Sequence, residues 1–395
     1  MNKNASLLIL RGGINKIGNM MYDYANTIWL ASLGSLGQSV LGIYKTTELM
    51  VSILFNPIGG VISDRYSRKR VLVITDLICA FLCLLVSFIT EKTFLITGII
   101  CANIILSITF SFSRPANKSF ITEVVPENDI LKYNSHLELV LQIITVTSPI
   151  ISFFIMKFAD IRMALMINSL TFFIAALIVY FIPQKDFSYS KSSGQITIKE
   201  IYHNLIEGFI YIKKQREIFF FLIVASLVNF FFSAYNYLLP FSDVLFNQKG
   251  AYASILTYGA IGSIIGALIS AKIKNSNKNL FRILFLTALG VLILPLFMFL
   301  NLPNSYSFVG NLVCELFMTI FNIHFFSQIQ RKVDKEYMGR VFSTIFTLSI
   351  VLAPISTLLM TILPTINFIS FIIIGICVLT LSFICYCFQA VLLKD

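Results

Sequence analysis

The sequence predicts an all-α integral membrane protein in which twelve transmembrane helices form two six-helix bundles. Three observations lead to this fold class. The chain of 395 residues is 57% hydrophobic and only 12% charged, whereas soluble domains carry about 25% charged residues. The apolar residues occur in runs of about 20 or more, the length that crosses a hydrocarbon core as a helix. A long polar stretch after Pro183 divides these runs into two sets of six.

The predicted spans follow one another along the chain and are separated by short polar loops. The first half holds 7–33, 40–62, 71–89, 94–113, 136–158 and 163–182, and the second half holds 217–245, 251–271, 280–300, 306–328, 341–363 and 368–393. We therefore expect a first bundle at 1–183, a linker at 184–216 and a second bundle at 217–395. An apolar stripe at helical spacing, from Ile201 to Ile212, predicts an amphipathic helix in the linker. The first span is too long for a cleaved signal peptide and carries polar residues.

The basic residues predict the orientation of the chain. They gather in alternate loops, for example Arg68 and Lys69 after the second span and Lys213 and Lys214 in the linker. By the positive-inside rule these loops and both termini are cytoplasmic, in a multi-pass protein of the plasma membrane. The net charge of +11 is explained by this distribution, so we expect no nucleic-acid partner.

The sequence contains no pattern typical of a cofactor or metal site. Its seven cysteines lie inside apolar spans and have no metal-ligand spacing with the three histidines. No Gly-Lys-Ser/Thr phosphate-binding loop is present, which argues against ATP-driven transport by this chain. The sequence also has no nucleophile motif of the kind that would indicate an enzyme.

The loop after the second span carries the sequence GVISDRYSRKR at 60–70. It resembles the signature loop of the major facilitator superfamily, with Ser67 where the family usually has glycine. The resemblance implies that this loop forms a cytoplasmic gate, which holds the two halves together and releases during transport. The residues that match the motif are Gly60, Asp64, Arg65, Arg68 and Lys69.

Three further segments, at 114–127, 207–212 and 336–342, resemble the macrolide-efflux-like branch of the same superfamily. The resemblance covers essentially the whole chain. It implies a secondary transporter that works by alternating access and exports a drug-like or natural-product small molecule in exchange for protons, as a monomer surrounded by membrane lipids. An uptake carrier for a small metabolite is the nearer alternative, and a membrane enzyme or a non-transporting sensor on the same fold is the more distant one.

In the resembled fold, the first, fourth, seventh and tenth helices surround a central cavity. Each of these spans carries polar residues at spacings that keep them on one helix face. Charges inside a membrane are costly and usually functional, so Asp23 and Glu315 are the leading proton or cation sites. Many relatives have an arginine in the fourth helix, but Leu106 stands there, and Arg114 lies near the predicted end of that span. The substrate and proton candidates are Asn19, Asp23, Asn26, Asn103, Asn229, Asn236, Asn311, Glu315 and Asn322.

Overall fold

Helices make up nearly all of the described chain. A computed structural model describes residues 3–126, 129–183, 198–299, 303–333, 338–363 and 365–392, and contains no β-strand within them. The first helices are α1 Lys3–Ala31, α2 Gly37–Arg65, α3 Arg68–Ser87, α4 Lys92–Val124, α5 Ile130–Phe158, α6 Ile161–Phe181 and α7 Ile198–Lys214. They are followed by α8 Arg216–Leu238, α9 Ser242–Leu245, α10 Ala251–Ser270, α11 Asn277–Phe299, α12 Asn304–Lys332, α13 Met338–Ser349, α14 Ala353–Thr361 and α15 Phe368–Leu392.

The chain divides into two compact units, Met1–Ile201 and Tyr202–Asp395. The first unit contains α1 to α6, the second contains α8 to α15, and α7 crosses the boundary. The amphipathic helix predicted in the linker coincides with α7, but residues 184–197 lie outside the described part. The predicted domain boundaries at 183 and 216 therefore remain predictions.

The two units repeat one packing scheme. In the first, α1 packs on α5 and α6, α2 packs on α4, and α3 packs on α4 and α6. In the second, α8 packs on α14 and α15, α10 packs on α12, and α11 packs on α12 and α15. Such a repetition is what an internal duplication of a six-helix bundle produces.

Ten segments of the described chain are long and apolar enough to cross a membrane. The helices α1 and α2 are outside this set, although each has 29 residues. Both carry charged side chains, such as Arg11 and Lys45, within their length. That α1 and α2 also cross the membrane, which would bring the number of transmembrane helices to twelve, therefore remains a prediction.

Prolines account for two interruptions that the sequence interpretation left out. The predicted eleventh span is broken between α13 and α14, just before Pro354, and α8 gives way to a 3₁₀ turn that contains Pro240. Proline supplies no backbone N–H, and its ring clashes with the carbonyl group of the residue four positions earlier in a helix. The predicted seventh and eleventh spans are therefore each made of two helical pieces.

The fourth helix is longer than predicted. It continues past Ser113 to Val124, with Pro115 inside it. This extra length is amphipathic: Ala116 and Phe120 are completely buried in a core shared with residues of α1, α3 and α6. Burial of this apolar face stabilises the helix beyond the point where the hydrophobic run ends.

Candidate functional site

A polar cavity of about 160 Å³ lies inside the first unit, between α1, α3, α4 and α6. It has room for a few water molecules or one small polar group. Its polar lining consists mainly of Arg11, Asn15, Asn19, Asp76, Arg114 and Asn117. Asn19 is the only one of these that the sequence analysis proposed as a substrate or proton residue.

A buried ion pair joins α1 to α3 at this cavity. Arg11 Nη2 lies 2.7 Å from Asp76 Oδ2, and the two side chains are 6% and 5% exposed. Arg11 Nη1 donates a second hydrogen bond of 2.8 Å to Asn117 Oδ1 on α4. Arg11 Nε and Asn15 Oδ1 are buried without a hydrogen-bond partner. The pair therefore connects three helices but leaves polar atoms unsatisfied, which is costly inside a protein.

The sequence analysis named neither Arg11 nor Asp76 as a site residue. The available signal was that both ionisable residues interrupt otherwise apolar runs, a cost that normally implies a partner or a function. Arg114 borders the same cavity, with its guanidinium carbon 5.6 Å from the centre of the Phe110 ring. Since α4 continues to Val124, Arg114 lies well inside the helix and not at its end. Two guanidinium groups and one carboxylate give the cavity lining an excess of positive charge.

Asp23 belongs to a second charged cluster, on α1 and α2. Lys45 Nζ lies 2.8 Å from Asp23 Oδ1 and 3.7 Å from Glu48 Oε2. The Asp23 side chain is 52% exposed within the chain. Asp23 is therefore not enclosed by apolar side chains of the chain. The sequence analysis also did not identify Lys45, which holds this carboxylate in an ion pair.

Glu315 on α12 is half-buried in the second unit. The Ser263 hydroxyl on α10 donates a hydrogen bond of 3.4 Å to Glu315 Oε2. Among the described residues no lysine or arginine forms an ion pair with it. Gly259 makes room for this side chain, because a Cβ atom there would lie 3.1 Å from Glu315 Cγ and would collide with the Asn311 amide. Glu315 is thus a carboxylate within a membrane-length helix whose described polar partner is neutral.

Two of the buried candidate asparagines, Asn103 and Asn311, form hydrogen bonds between helices. Asn103 Nδ2 donates to the Tyr44 carbonyl oxygen at 2.9 Å, which joins α4 to α2. Asn311 Nδ2 donates to the Ile255 carbonyl oxygen at 2.7 Å, and Asn311 Oδ1 accepts a hydrogen bond of 2.7 Å from the Tyr235 hydroxyl. Both the nitrogen and the oxygen of the Asn311 side-chain amide are therefore engaged in hydrogen bonds.

The other candidate asparagines lie in different environments. Asn26 is completely buried and close to the Tyr44 hydroxyl. Asn229 is half-buried and donates to the Ala225 carbonyl oxygen of its own helix. Asn236 and Asn322 are exposed within the chain. The second unit thus presents polar amides on α8 and α12, whereas Asn26 is closed off.

The described residues of the gate motif fasten the start of α3 to other helices of the first unit. Arg68 Nη1 lies 2.7 Å from Glu123 Oε1 near the end of α4. Lys69 Nζ donates to the Ile182 carbonyl oxygen, just past α6, at 2.8 Å. The surroundings of Gly60, Asp64 and Arg65 lie outside the described part of the structure. In the part that is described, no group of three His, Cys, Asp or Glu residues could hold a metal ion.

Comparison with known families identifies the fold. A sequence model of the Major Facilitator Superfamily matches residues 12–357. The chain belongs to the major facilitator superfamily. Its members are transporters, so the protein is a multi-pass membrane transporter and not an enzyme. The family and the all-α membrane fold predicted from the sequence are confirmed.

Curated relatives within this superfamily include macrolide efflux proteins. The chain is 27% identical over 300 residues to macrolide efflux protein A of Enterococcus faecalis, which covers 73% of this chain and 90% of that protein. It is 25% identical over 330 residues to macrolide efflux protein A of Streptococcus pyogenes, covering 81% of this chain and 79% of that protein. These similarities agree with the branch that the sequence analysis identified.

Solved structures of the superfamily share the fold. The nucleoside transporter NupG matches with a TM-score of 0.76 at 14% identity, over 98% of this chain and 99% of that one. A D-xylose–proton symporter matches with a TM-score of 0.72 at 13% identity, over 96% of each chain. At such low identity these likenesses concern the fold alone.

Proposed function

We propose that this transporter exports a drug-like or natural-product small molecule of the macrolide type in exchange for protons. It works as a monomer in the plasma membrane, by alternating access, with both termini in the cytoplasm. The observation that carries the proposal is the similarity to macrolide efflux protein A over 73% to 81% of the chain. Export direction and substrate class are taken from the names of those relatives.

Glu315 is the residue that we propose as the proton carrier. A carboxyl group inside a membrane span is costly and is normally retained for function. Among the described residues Glu315 has Ser263 as its hydrogen-bond donor and no cationic partner, so it is free to exchange a proton without breaking an ion pair. Asp23 is less suited to this role, because Lys45 already neutralises it.

Among the candidate substrate residues, we propose that those with exposed side chains contact the substrate. Asn236 on α8 and Asn322 on α12 are accessible amides of the second unit. The small cavity beside Arg11 is an unsuitable binding site, since about 160 Å³ is well below the roughly 300–1,000 Å³ of pockets for drug-sized ligands. We assign its ion pair to the stability of the first unit.

The gate motif is proposed to control the conformational equilibrium and not the affinity for substrate. Arg68 and Lys69 fix the start of α3 against the ends of α4 and α6. This anchoring would hold the end of α2, which carries Asp64 and Arg65, in one position beside α3. A helix junction fixed in this way can favour one of two conformational states without touching the substrate.

Everted membrane vesicles test the direction and the class of substrate. In such vesicles, an exporter that exchanges substrate for protons accumulates a labelled macrolide when the lumen is made acidic. Vesicles without the protein serve as the control. Accumulation in right-side-out vesicles, with none in everted ones, would establish uptake instead. No transport of the macrolide in either orientation would reject the proposed substrate class.

A further inference from the structure

An apolar groove of about 360 Å³ runs between α11 and α15 in the second unit, at the end where α11 begins. Phe285 and Phe383 are 38% and 61% exposed along it. Its lining is almost entirely hydrocarbon, apart from the Arg282 guanidinium and the hydroxyl groups of Ser382 and Tyr386. The main lining residues are Phe281, Arg282, Phe285, Leu286, Phe383 and Tyr386.

Arg282 and Tyr386 stand together at the mouth of this groove. Arg282 Nη2 lies 3.4 Å from the Tyr386 hydroxyl, and the guanidinium carbon is 5.7 Å from the centre of the Tyr386 ring. Both residues are within two turns of the ends of their helices. Tyrosine is enriched at membrane–water interfaces, and arginine near a helix end extends its charged group to the same level. Arg282 is exposed, and its guanidinium group, which has five N–H donors, makes one long contact with the Tyr386 hydroxyl.

The surroundings of the mouth are strongly basic. Lys272, Lys274 and Lys278 are exposed on the loop before α11 and on its first turn. Lys278 and Arg282 are four residues apart and therefore share one face of the helix. The sequence has no acidic residue at 271–286 or at 382–392 to balance these charges. The polar end of the groove thus attracts anions.

We propose that this groove binds an anionic phospholipid. One acyl chain lies against Phe281, Phe285 and Phe383, and the phosphate accepts two hydrogen bonds from the Arg282 guanidinium, a geometry that suits arginine. The apolar length of the groove favours a lipid over a free phosphate ion. The unbalanced positive charge favours an anionic headgroup over a zwitterionic one. This inference is independent of the substrate and of the direction of transport.

Tryptophan fluorescence offers a direct test, because the chain has one tryptophan, Trp29. The variant Trp29→Phe/Phe285→Trp places the single indole in the groove, at a position that is partly exposed. The full chain is reconstituted in phosphatidylcholine vesicles with increasing amounts of brominated-acyl phosphatidylglycerol or brominated-acyl phosphatidylcholine. We expect the anionic lipid to quench at a several-fold lower mole fraction than the zwitterionic one.

The role of Arg282 is tested in the same reporter background. Arg282→Gln should reduce the preference for phosphatidylglycerol about fivefold, the contribution of one basic side chain near an anionic membrane surface. Arg331→Gln is the matched control, since Arg331 is exposed on the last turn of α12 and does not line the groove. It should leave the preference unchanged.

Three results would overturn the proposal. Equal quenching by both lipids would show only the ordinary layer of surrounding lipid. A preference that survives Arg282→Gln would place the anion elsewhere. Quenching by neither lipid would show that protein, such as a second copy of the chain, covers the groove. If Phe285→Trp does not fold, Phe383→Trp reports on the same groove from a more exposed position.

Discussion

Asn103 and Asn311 make the same contact in the two units. Each donates from its side-chain amide to a backbone carbonyl oxygen of the neighbouring helix, at 2.9 Å to Tyr44 and 2.7 Å to Ile255. The helix pairs that they join, α4 with α2 and α12 with α10, correspond in the repeated packing scheme. The two asparagines therefore form hydrogen bonds that hold neighbouring helices together, although their positions on the fourth and tenth spans suggested a substrate role.

Removing either amide should reduce stability and leave substrate affinity unchanged. We expect Asn103→Ala to cost about 0.6 kcal/mol of unfolding free energy, with an upper limit of about 1.7 kcal/mol, as measured for hydrogen bonds between membrane helices. Asn311→Ala should cost more, because it also removes the acceptor of the Tyr235 hydroxyl. Unfolding of the purified protein measures both. Asn322→Ala, at an exposed position, is the control for stability and should leave the free energy of unfolding nearly unchanged. A loss of substrate affinity at unchanged stability would contradict the role of these asparagines as links between helices.

The ion pair of Arg11 and Asp76 should show strong coupling in stability measurements. Either Arg11→Gln or Asp76→Asn alone leaves one buried charge without its partner, at a cost of about 3–5 kcal/mol. The double variant Arg11→Met/Asp76→Leu removes both charges and should recover most of that loss. Transport by the recovered double variant would support a structural role. A folded double variant that has lost transport would show that the pair takes part in the transport cycle.

The two described basic residues of the gate motif should differ in their effects. Arg68→Gln leaves Glu123, which is 3% exposed, without its cation, and we expect a cost of about 3 kcal/mol. Lys69→Gln removes one hydrogen bond to the Ile182 carbonyl oxygen and should cost about 1 kcal/mol. Thermal unfolding of the two variants compares them. Equal losses, or a larger loss for Lys69→Gln, would show that Glu123 does not depend on Arg68.

The orientation of the chain can be tested across one helix. Lys249 and Lys272 are exposed at opposite ends of α10. The distribution of basic residues predicts that Lys249 is outside the cell and Lys272 inside. In a background with Cys101, Cys377 and Cys387 replaced by serine, a membrane-impermeant maleimide should label Lys249→Cys in intact cells and should label Lys272→Cys only after permeabilisation. The reverse pattern would invert the topology.

Hydrophobic run length predicted the helices, because spanning a membrane imposes a minimum length on every segment. It did not predict their ends, since the limits of α4 and the break before Pro354 depend on local packing and on backbone chemistry. Helical spacing predicted which polar residues share a face. Spacing alone does not say what that face meets, so the closed position of Asn103 and the open position of Asn236 could be separated only by the fold.

The charged partners were the least predictable part of the candidate site. Arg11 and Lys45 lie within long runs whose apolar content dominated the interpretation, and their contacts with Asp76 and Asp23 bring together different helices. A search for every ionisable residue inside a predicted span would have found them. It would not have paired them, because pairing depends on how the helices pack.

The response of transport to a pH gradient tests the central claim most directly. Wild-type protein, Glu315→Gln and the control Glu138→Gln are reconstituted in vesicles, and accumulation of a labelled macrolide is measured with and without an imposed gradient. Glu138 is an exposed carboxylate on α5 that bonds Gln142 of its own helix. We expect gradient-driven accumulation by the wild type and by Glu138→Gln, and only passive exchange by Glu315→Gln. Wild-type transport that ignores the gradient, or a full gradient response in Glu315→Gln, would contradict proton coupling through Glu315.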